Sequence, residues 1–570
     1  MTLDFRFLRQ LCLTSALLGS CALPGAAQEA APPQPQIDNA GSYLAARLAE
    51  KKGDFSAAAE WFAQALASAP KDPNLLQGLL LAQMSLGDFD AAAATAGSYL
   101  ENGLTNNSVA LAQITARVGA EDFAGVLDLL AQGQLAGGAA DDLIAGWAEQ
   151  GQGKVSEALV HFDKVIAVPG FEGLGYYQKA LALASAGDLE GADAILSGPA
   201  AASITNFRRG LVAHMQILSQ MERNADALAL FDKSFRGEQD PDLMDLRRRL
   251  AAGEPIDFDQ VSGAKQGIAE ALFTYAAAIG EQAEPGVTLL YARAALYLRP
   301  EQTETKLLVA ELLNDMGQYV LAAQAYALIA PQDPAFYSAE IGRANALNAG
   351  GDREGAIAVL QSLSQSHGQV VQVRQALGDM LRRSERYEEA LAAYDAGIAL
   401  VQEPASWAWP LYFNRGVCLE RLDRFDEAIP SFRKALELQP NQPQVLNYLG
   451  YTWIDRGENL DEAVRMIEAA VAAAPDQGYI IDSLAWAYYR LGRDTDALAP
   501  MERASLLEPV DPVVTDHLGD IYWVNGRQLE AQFQWRRALS FEPTEKDAAR
   551  IRAKLEKGLD AVLEQEKAGE

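Results

Sequence analysis

Four prolines, Pro440, Pro475, Pro509 and Pro543, stand 35, 34 and 34 residues apart. A period that regular constrains the fold more than any other feature of the chain. Each interval must be one small unit that cannot bury its apolar side alone and does so by stacking on the next. Inside each interval an alanine recurs (Ala428, Ala463, Ala497, Ala531), followed four residues later by Phe432, Ile467, Met501 or Trp535. Seven residues beyond the alanine comes another, at Ala435, Ala470, Ala504 and Ala538. Upstream, a small residue (Gly416, Gly450, Ala485, Gly519) precedes a large one by three, at Leu419, Trp453, Tyr488 and Tyr522.

Spacings of three, four and seven place each set on one face of a helix. Gly457, Gly492 and Gly526 fall between the two faces, where a first helix must end and the chain must turn with positive φ. Each proline then closes the second helix, since it has no N–H with which to continue the ladder. The unit is a helical hairpin whose small residues admit close helix contact and whose large ones fill the gap to the neighbour. This pattern resembles the tetratricopeptide repeat family. The resemblance extends upstream to units around Ala58 with Gly53 and Phe62, Ala158 with Gly146 and Phe162, Ala322 with Gly317 and Tyr326, and Ala390 with Gly378 and Tyr394. Fainter copies centre on Ala92, Ala192, Ala227 and Ala356.

The expected fold is therefore all-α, a right-handed solenoid of about fourteen hairpins in two lobes. The first array is placed at 39–240 and the second at 267–545, with a helix-prone, charged cap at 546–570. The segment 241–266 breaks the phase and reads equally as a hinge, an extra helix with a loop, or a decayed repeat.

At the N-terminus, Arg6 and Arg9 precede the apolar run Leu11–Gly19, which is too short to span a bilayer and reads as an export signal within 1–27. Two cleavage sites compete. Leu18-Gly19-Ser20-Cys21 resembles a bacterial lipobox, which would make Cys21 a lipidation site, whereas Gly25-Ala26-Ala27 resembles an ordinary signal-peptidase site. Residues 28–38 then form a proline-rich tether. Cys418 lies in a helical apolar pattern, as a small core residue does.

The net charge of −30 opposes capture of nucleic acid or anionic lipid, which need clustered Lys and Arg, so contact with a membrane is expected only through a lipid anchor. The four histidines are scattered, and no HExxH, Cys/His metal spacing, phosphate loop or GxSxG elbow is present. No catalytic residue, metal or cofactor is assigned, and no enzyme activity is expected. What the family resemblance implies is a concave groove lined by the first helices of successive hairpins. Carried onto this sequence, its partner-facing places include Arg382, Arg383, Phe413, Arg421, Tyr451, Tyr479, Trp486, Tyr489, Arg490 and Trp523. The family's clamp for a chaperone tail does not carry over, because Phe413, Val417 and Tyr448 occupy its Lys and Asn places. The expected role is an exported scaffold or adaptor that grips a protein partner in the bacterial cell envelope, in the periplasm or lipid-anchored to the outer membrane. The alternative is an accessory or regulatory subunit of an envelope enzyme acting on polysaccharide or peptidoglycan.

Overall fold

The structure is a computed structural model that describes residues 40–199, 208–236, 241–280, 282–402 and 405–569. The expected export signal, Cys21 and the tether lie outside the described residues. Those described form α-helices joined by short turns, with one 3-10 turn at Ser406–Ala408 and no strand.

The hairpin rule holds from Ala40 to Ser234 and from Ala264 to Leu539. Phe432 lies against Gly416, Tyr394 against Gly378 and Trp535 against Gly519. A Cβ at any of these glycines would come within 2.6, 2.6 and 2.4 Å of the facing ring, so only glycine allows the two helices this approach. Alanines on the second helix, among them Ala428, Ala463, Ala497 and Ala531, are wholly buried at the same crossings. The turns after the first helices are left-handed, with φ of 69° at both Gly457 and Gly492. Two equivalent turns carry Glu385 (φ 59°) and Asp423 (φ 58°) instead, so the repeat tolerates an ordinary residue there at a conformational cost of about 1–2 kcal/mol. Part of the chain's acidity serves the helix ends. Asp54, Asp88, Asp122, Asp188 and Asp352 each accept the N–H three residues on, satisfying a donor that the second helix leaves open.

Six hairpins run from Ala40 to Ser234, followed by the single helix Pro241–Ala251, so an extra helix with a loop occupies the segment where the repeat phase is lost. Residues 252–263 run back beside the helix Arg208–Gln220: Ser219 accepts the Ile256 N–H, and Gln216 donates to Asp259. The next hairpin, Ala264–Ile279 with Pro285–Leu298, does something that the sequence pattern does not announce. It lies inside the first array. Its first helix packs on the helices Asn107–Gly119, Ala140–Gly151 and Glu172–Ser185, and its second on Pro73–Leu86 and Asn107–Gly119, all four of them first helices. Seven further hairpins, from Thr303 to Leu539, form the second array, and the pair Glu545–Lys557 and Leu559–Gly569 closes it.

Candidate protein-binding wall

First helices of successive hairpins touch one another in both arrays, which places them on the inner side of the curve. The inward-facing side chains stand three before and one after the crossing residue of each first helix, a small residue except in Asn107–Gly119, where it is Ile114. In the first array these are Leu111 and Thr115, Leu143 and Trp147, and Tyr177 and Leu181, all at most 2% exposed. The inserted hairpin covers them. Gly267 rides directly on the Trp147 ring, where an added Cβ would come within 2.2 Å. Trp147 donates its Nε1–H to Gln178 Oε1 (2.8 Å), and Gln178 in turn donates to Thr274 (3.0 Å). The buried Glu270 carboxylate accepts from the Tyr177 hydroxyl (2.9 Å), from Arg209 Nε and Nη2 (both 2.8 Å) and from Gln302 Nε2 (3.0 Å). On the second inserted helix, Tyr291 donates to the Ala136 carbonyl (2.8 Å), and Arg293 Nε to the Ser85 carbonyl (2.9 Å). Burial lowers Arg293 to about 10. The first array's inner wall is thus occupied by the chain itself.

The second array presents a different wall. The same places hold Gln375 and Asp379, Phe413 and Val417, Asn447 and Tyr451, Asp482 and Trp486, and Asp516 and Asp520. Its far end is clasped by the terminal pair. Lys554, fully buried on the terminal pair, donates to Asp516 (2.7 Å) and Asp520 (2.8 Å), and Arg550 lies 3.5 Å from Asp520. Asp482 accepts from His517 Nδ1 (3.0 Å), and the His517 ring stacks on Trp486 with centroids 3.8 Å apart. Burial opposes the imidazolium, but contact with Asp482, with Asp516 and Asp520 behind it, outweighs burial and holds His517 above its ordinary range.

The residues singled out in the sequence fall into three settings. Trp486 is buried between His517 and Tyr489, only 9% exposed. Trp523 leans on Trp535 and donates its Nε1–H to Asp560 of the terminal pair (3.0 Å). Tyr479 is exposed and stands at the edge of the array beside Glu508, apart from the rest. The others share the inner wall: Arg382, Phe413, Tyr451 and Tyr489 are half-buried, whereas Arg383, Arg421 and Arg490 are exposed. Phe413 meets Tyr448 edge-on at 5.7 Å, Arg421 lies 3.6 Å from Glu420, and Arg490 reaches Asp455 at 3.3 Å. Burial, reinforced by Asp482 and Asp455, raises the Tyr451 hydroxyl to about 12. Three buried polar atoms of this wall, Arg382 Nε, Asn447 Oδ1 and Asp516 Oδ1, have no hydrogen-bond partner among the described residues. Cys418 packs in the core beneath it, and burial pushes its thiol up to about 12, so it stays protonated and unreactive at neutral pH.

Sequence reasoning missed the inserted hairpin, Lys554 and the cavity residues Asn345 and Gln372. A signal for the first was present: the inward places of the first array read Leu, Thr, Leu, Trp, Tyr and Leu, mostly too apolar to face water, whereas those of the second are mixed. The cavity, about 290 Å3, opens on the inner wall between the helices Phe336–Ala349 and Val371–Arg383. A larger one, about 700 Å3, lies between the helices Phe123–Ala131 and Ala140–Gly151, with His161 of Val155–Ile166 at its edge, away from this wall. No group of His, Cys, Asp and Glu that could hold a metal ion occurs among the described residues, and none of their helices is long and apolar enough to cross a membrane.

Family profiles described as tetratricopeptide repeat match residues 43–106, 341–403 and 409–442. The chain is similar to a tetratricopeptide repeat protein from Parabacteroides merdae ATCC 43184, at 18% identity over 44% of this chain and 97% of that one, with a TM-score of 0.37. It is similar also to the APC/C hetero-tetramer Cut9-Hcn1 (15% identity, 91% of this chain and 96% of that one, TM-score 0.38). The third is yeast Tom70 (15%, 93% and 96%, TM-score 0.36). No curated protein sequence matches it significantly. The matched segments lie in both arrays, so both arrays contain tetratricopeptide repeats, and the all-helical hairpin architecture around them supports a protein of that family.

Proposed function

We propose that this protein is a scaffold that binds a protein partner on the inner wall of its second array, between Gln375 and Arg490. The observation that carries this reading is the contrast between the two walls. The first is apolar and already filled by residues 264–298. The second combines half-buried rings with the exposed Arg383, Arg421 and Arg490, as protein-binding surfaces do. Families of this repeat are generally non-catalytic scaffolds, and no reacting group is assigned here. The leader-like N-terminus and the tether support an exported scaffold in a bacterial envelope, held to a membrane if Cys21 is acylated.

A protein partner is favoured over a glycan because a sugar platform needs a free ring face, and the Trp486 face is taken by His517. Site-specific photocrosslinking in cells tests the reading. A crosslinker at Tyr451 or Arg421 should capture one defined protein, while one at Leu143, under the inserted hairpin, should capture none. Equal capture at both places would overturn it. Mass spectrometry of the mature N-terminus separates an acylated Cys21 from a free Gln28.

A further inference from the structure

The open part of this wall carries a local charge opposite to that of the chain. Within a protein of net charge −30, the helix Val371–Arg383 holds Arg374, Arg382 and Arg383 against the single Asp379. Asp379 is engaged inside the wall, where it accepts from the Tyr394 hydroxyl (2.6 Å) and from Asn414 Nδ2 (3.0 Å). The guanidinium of Arg383 has no such partner. It edges the 290 Å3 cavity together with the amides of Asn345, Gln372 and Gln375, and none of these four side chains has a hydrogen-bond or ion-pair partner among the described residues. Its neighbour in the chain, Arg382, keeps an unpartnered buried Nε.

We infer that this cavity receives an aspartate or glutamate side chain of the bound partner. The inference rests on the reading that the second array's inner wall is the partner site. A guanidinium offers paired N–H donors that match a carboxylate, and the cavity walls screen such a pair less than open water does. The three amides supply both donors and acceptors, suited to the backbone on either side of that acidic residue. Asp379 also lines the cavity, but its Oδ1 is already held by Tyr394 and Asn414, so a basic side chain would meet the unpaired Arg383 first and the cavity discriminates by repulsion as well as by attraction.

The test uses a bead library of random twelve-residue peptides, acetylated and amidated so that neither end is charged, offered to the full-length protein. Peptides retained by the native protein should be enriched in Asp and Glu. Arg383→Glu, at an exposed position without a partner, should fold as the native protein does by circular dichroism. It should weaken the acidic peptides by roughly tenfold, the worth of one charge-assisted hydrogen bond, and shift the retained pool toward Lys and Arg. A retained pool without acidic enrichment, or one unchanged by Arg383→Glu, overturns the assignment of the cavity while leaving the wall as a peptide site. Retention only from a matched second library whose C-terminal carboxylates are left free overturns the side-chain assignment in favour of a chain end. Retention of no peptide at all removes the partner-wall reading and this inference with it.

Discussion

Removing the Glu270 carboxylate is the most direct perturbation of the inserted hairpin. Glu270 is wholly buried and holds together three parts of the chain that are distant in sequence: Tyr177 and Arg209 from the first array, the inserted helix itself, and Gln302 at the start of the second array. In Glu270→Ala, Arg209 keeps only Glu304, whose side chain is 53% exposed and so compensates weakly, while the Arg209 side chain is itself only 16% exposed. Breaking a buried ion pair from one side costs about 3–5 kcal/mol because the surviving charge stays desolvated. The retained Glu304 contact places the expected loss near the lower end, about 3 kcal/mol. Adding Arg209→Met removes that orphaned charge, so the double variant should recover roughly half of the loss. Urea unfolding followed by tryptophan fluorescence measures the cost. Amide exchange should locate it in residues 264–298 and the first array, with the helices from 371 to 539 protected as before. A loss below about 1 kcal/mol, or a double variant as unstable as the sum of the two singles, would refute the claim that this carboxylate anchors the inserted hairpin.

Lys554→Met should loosen the terminal pair, because Asp516 and Asp520 lose the cation buried between them and keep only the longer contacts to Arg550; limited proteolysis should cut within 545–569, and unfolding should show a loss of about 3 kcal/mol. Trp486→Ala should act first on stability, by about 3–5 kcal/mol, since the ring is buried against His517 and Tyr489; an unchanged melting curve would contradict that placement. His517 has a folded pKa above its ordinary value near 6.5, so its contribution is fully present below that value and is lost as pH rises through the folded one. Amide protection of the helices Gly478–Arg490 and Pro512–Val524 should therefore fall as pH rises, and His517→Phe should flatten the dependence.

How far the sequence could be read differs from one side chain to the next. Gly416, Ala428, Phe432 and Ala435 announce their contacts through spacing, because a helix brings residues three, four and seven apart onto one face and nothing outside the hairpin can change that. Phe413 and Tyr451 could be assigned to the inner wall by the same counting. Trp486 could not be separated from them: its register places it on the wall, but the ring is covered by His517, which lies 31 positions on, in the next hairpin. Lys554 reads as one more charge on a solvated helix, and only the approach of Asp516 and Asp520 makes it a buried clasp.

The chain's own pattern thus determined the hairpin, its period, its close crossings and the surface that curves inward, since these follow from local helix geometry and from side chains a few positions apart. Tertiary structure alone decided that the hairpin 264–298 turns back into the first array while the wall from Gln375 to Arg490 stays open. The physical reason is that such a hairpin carries the same local signals wherever it lies. Its place is set by long-range matches, with Gly267 on Trp147, Glu270 on Arg209 and Tyr291 on the Ala136 carbonyl, and these partners lie between 61 and 155 residues away along the chain.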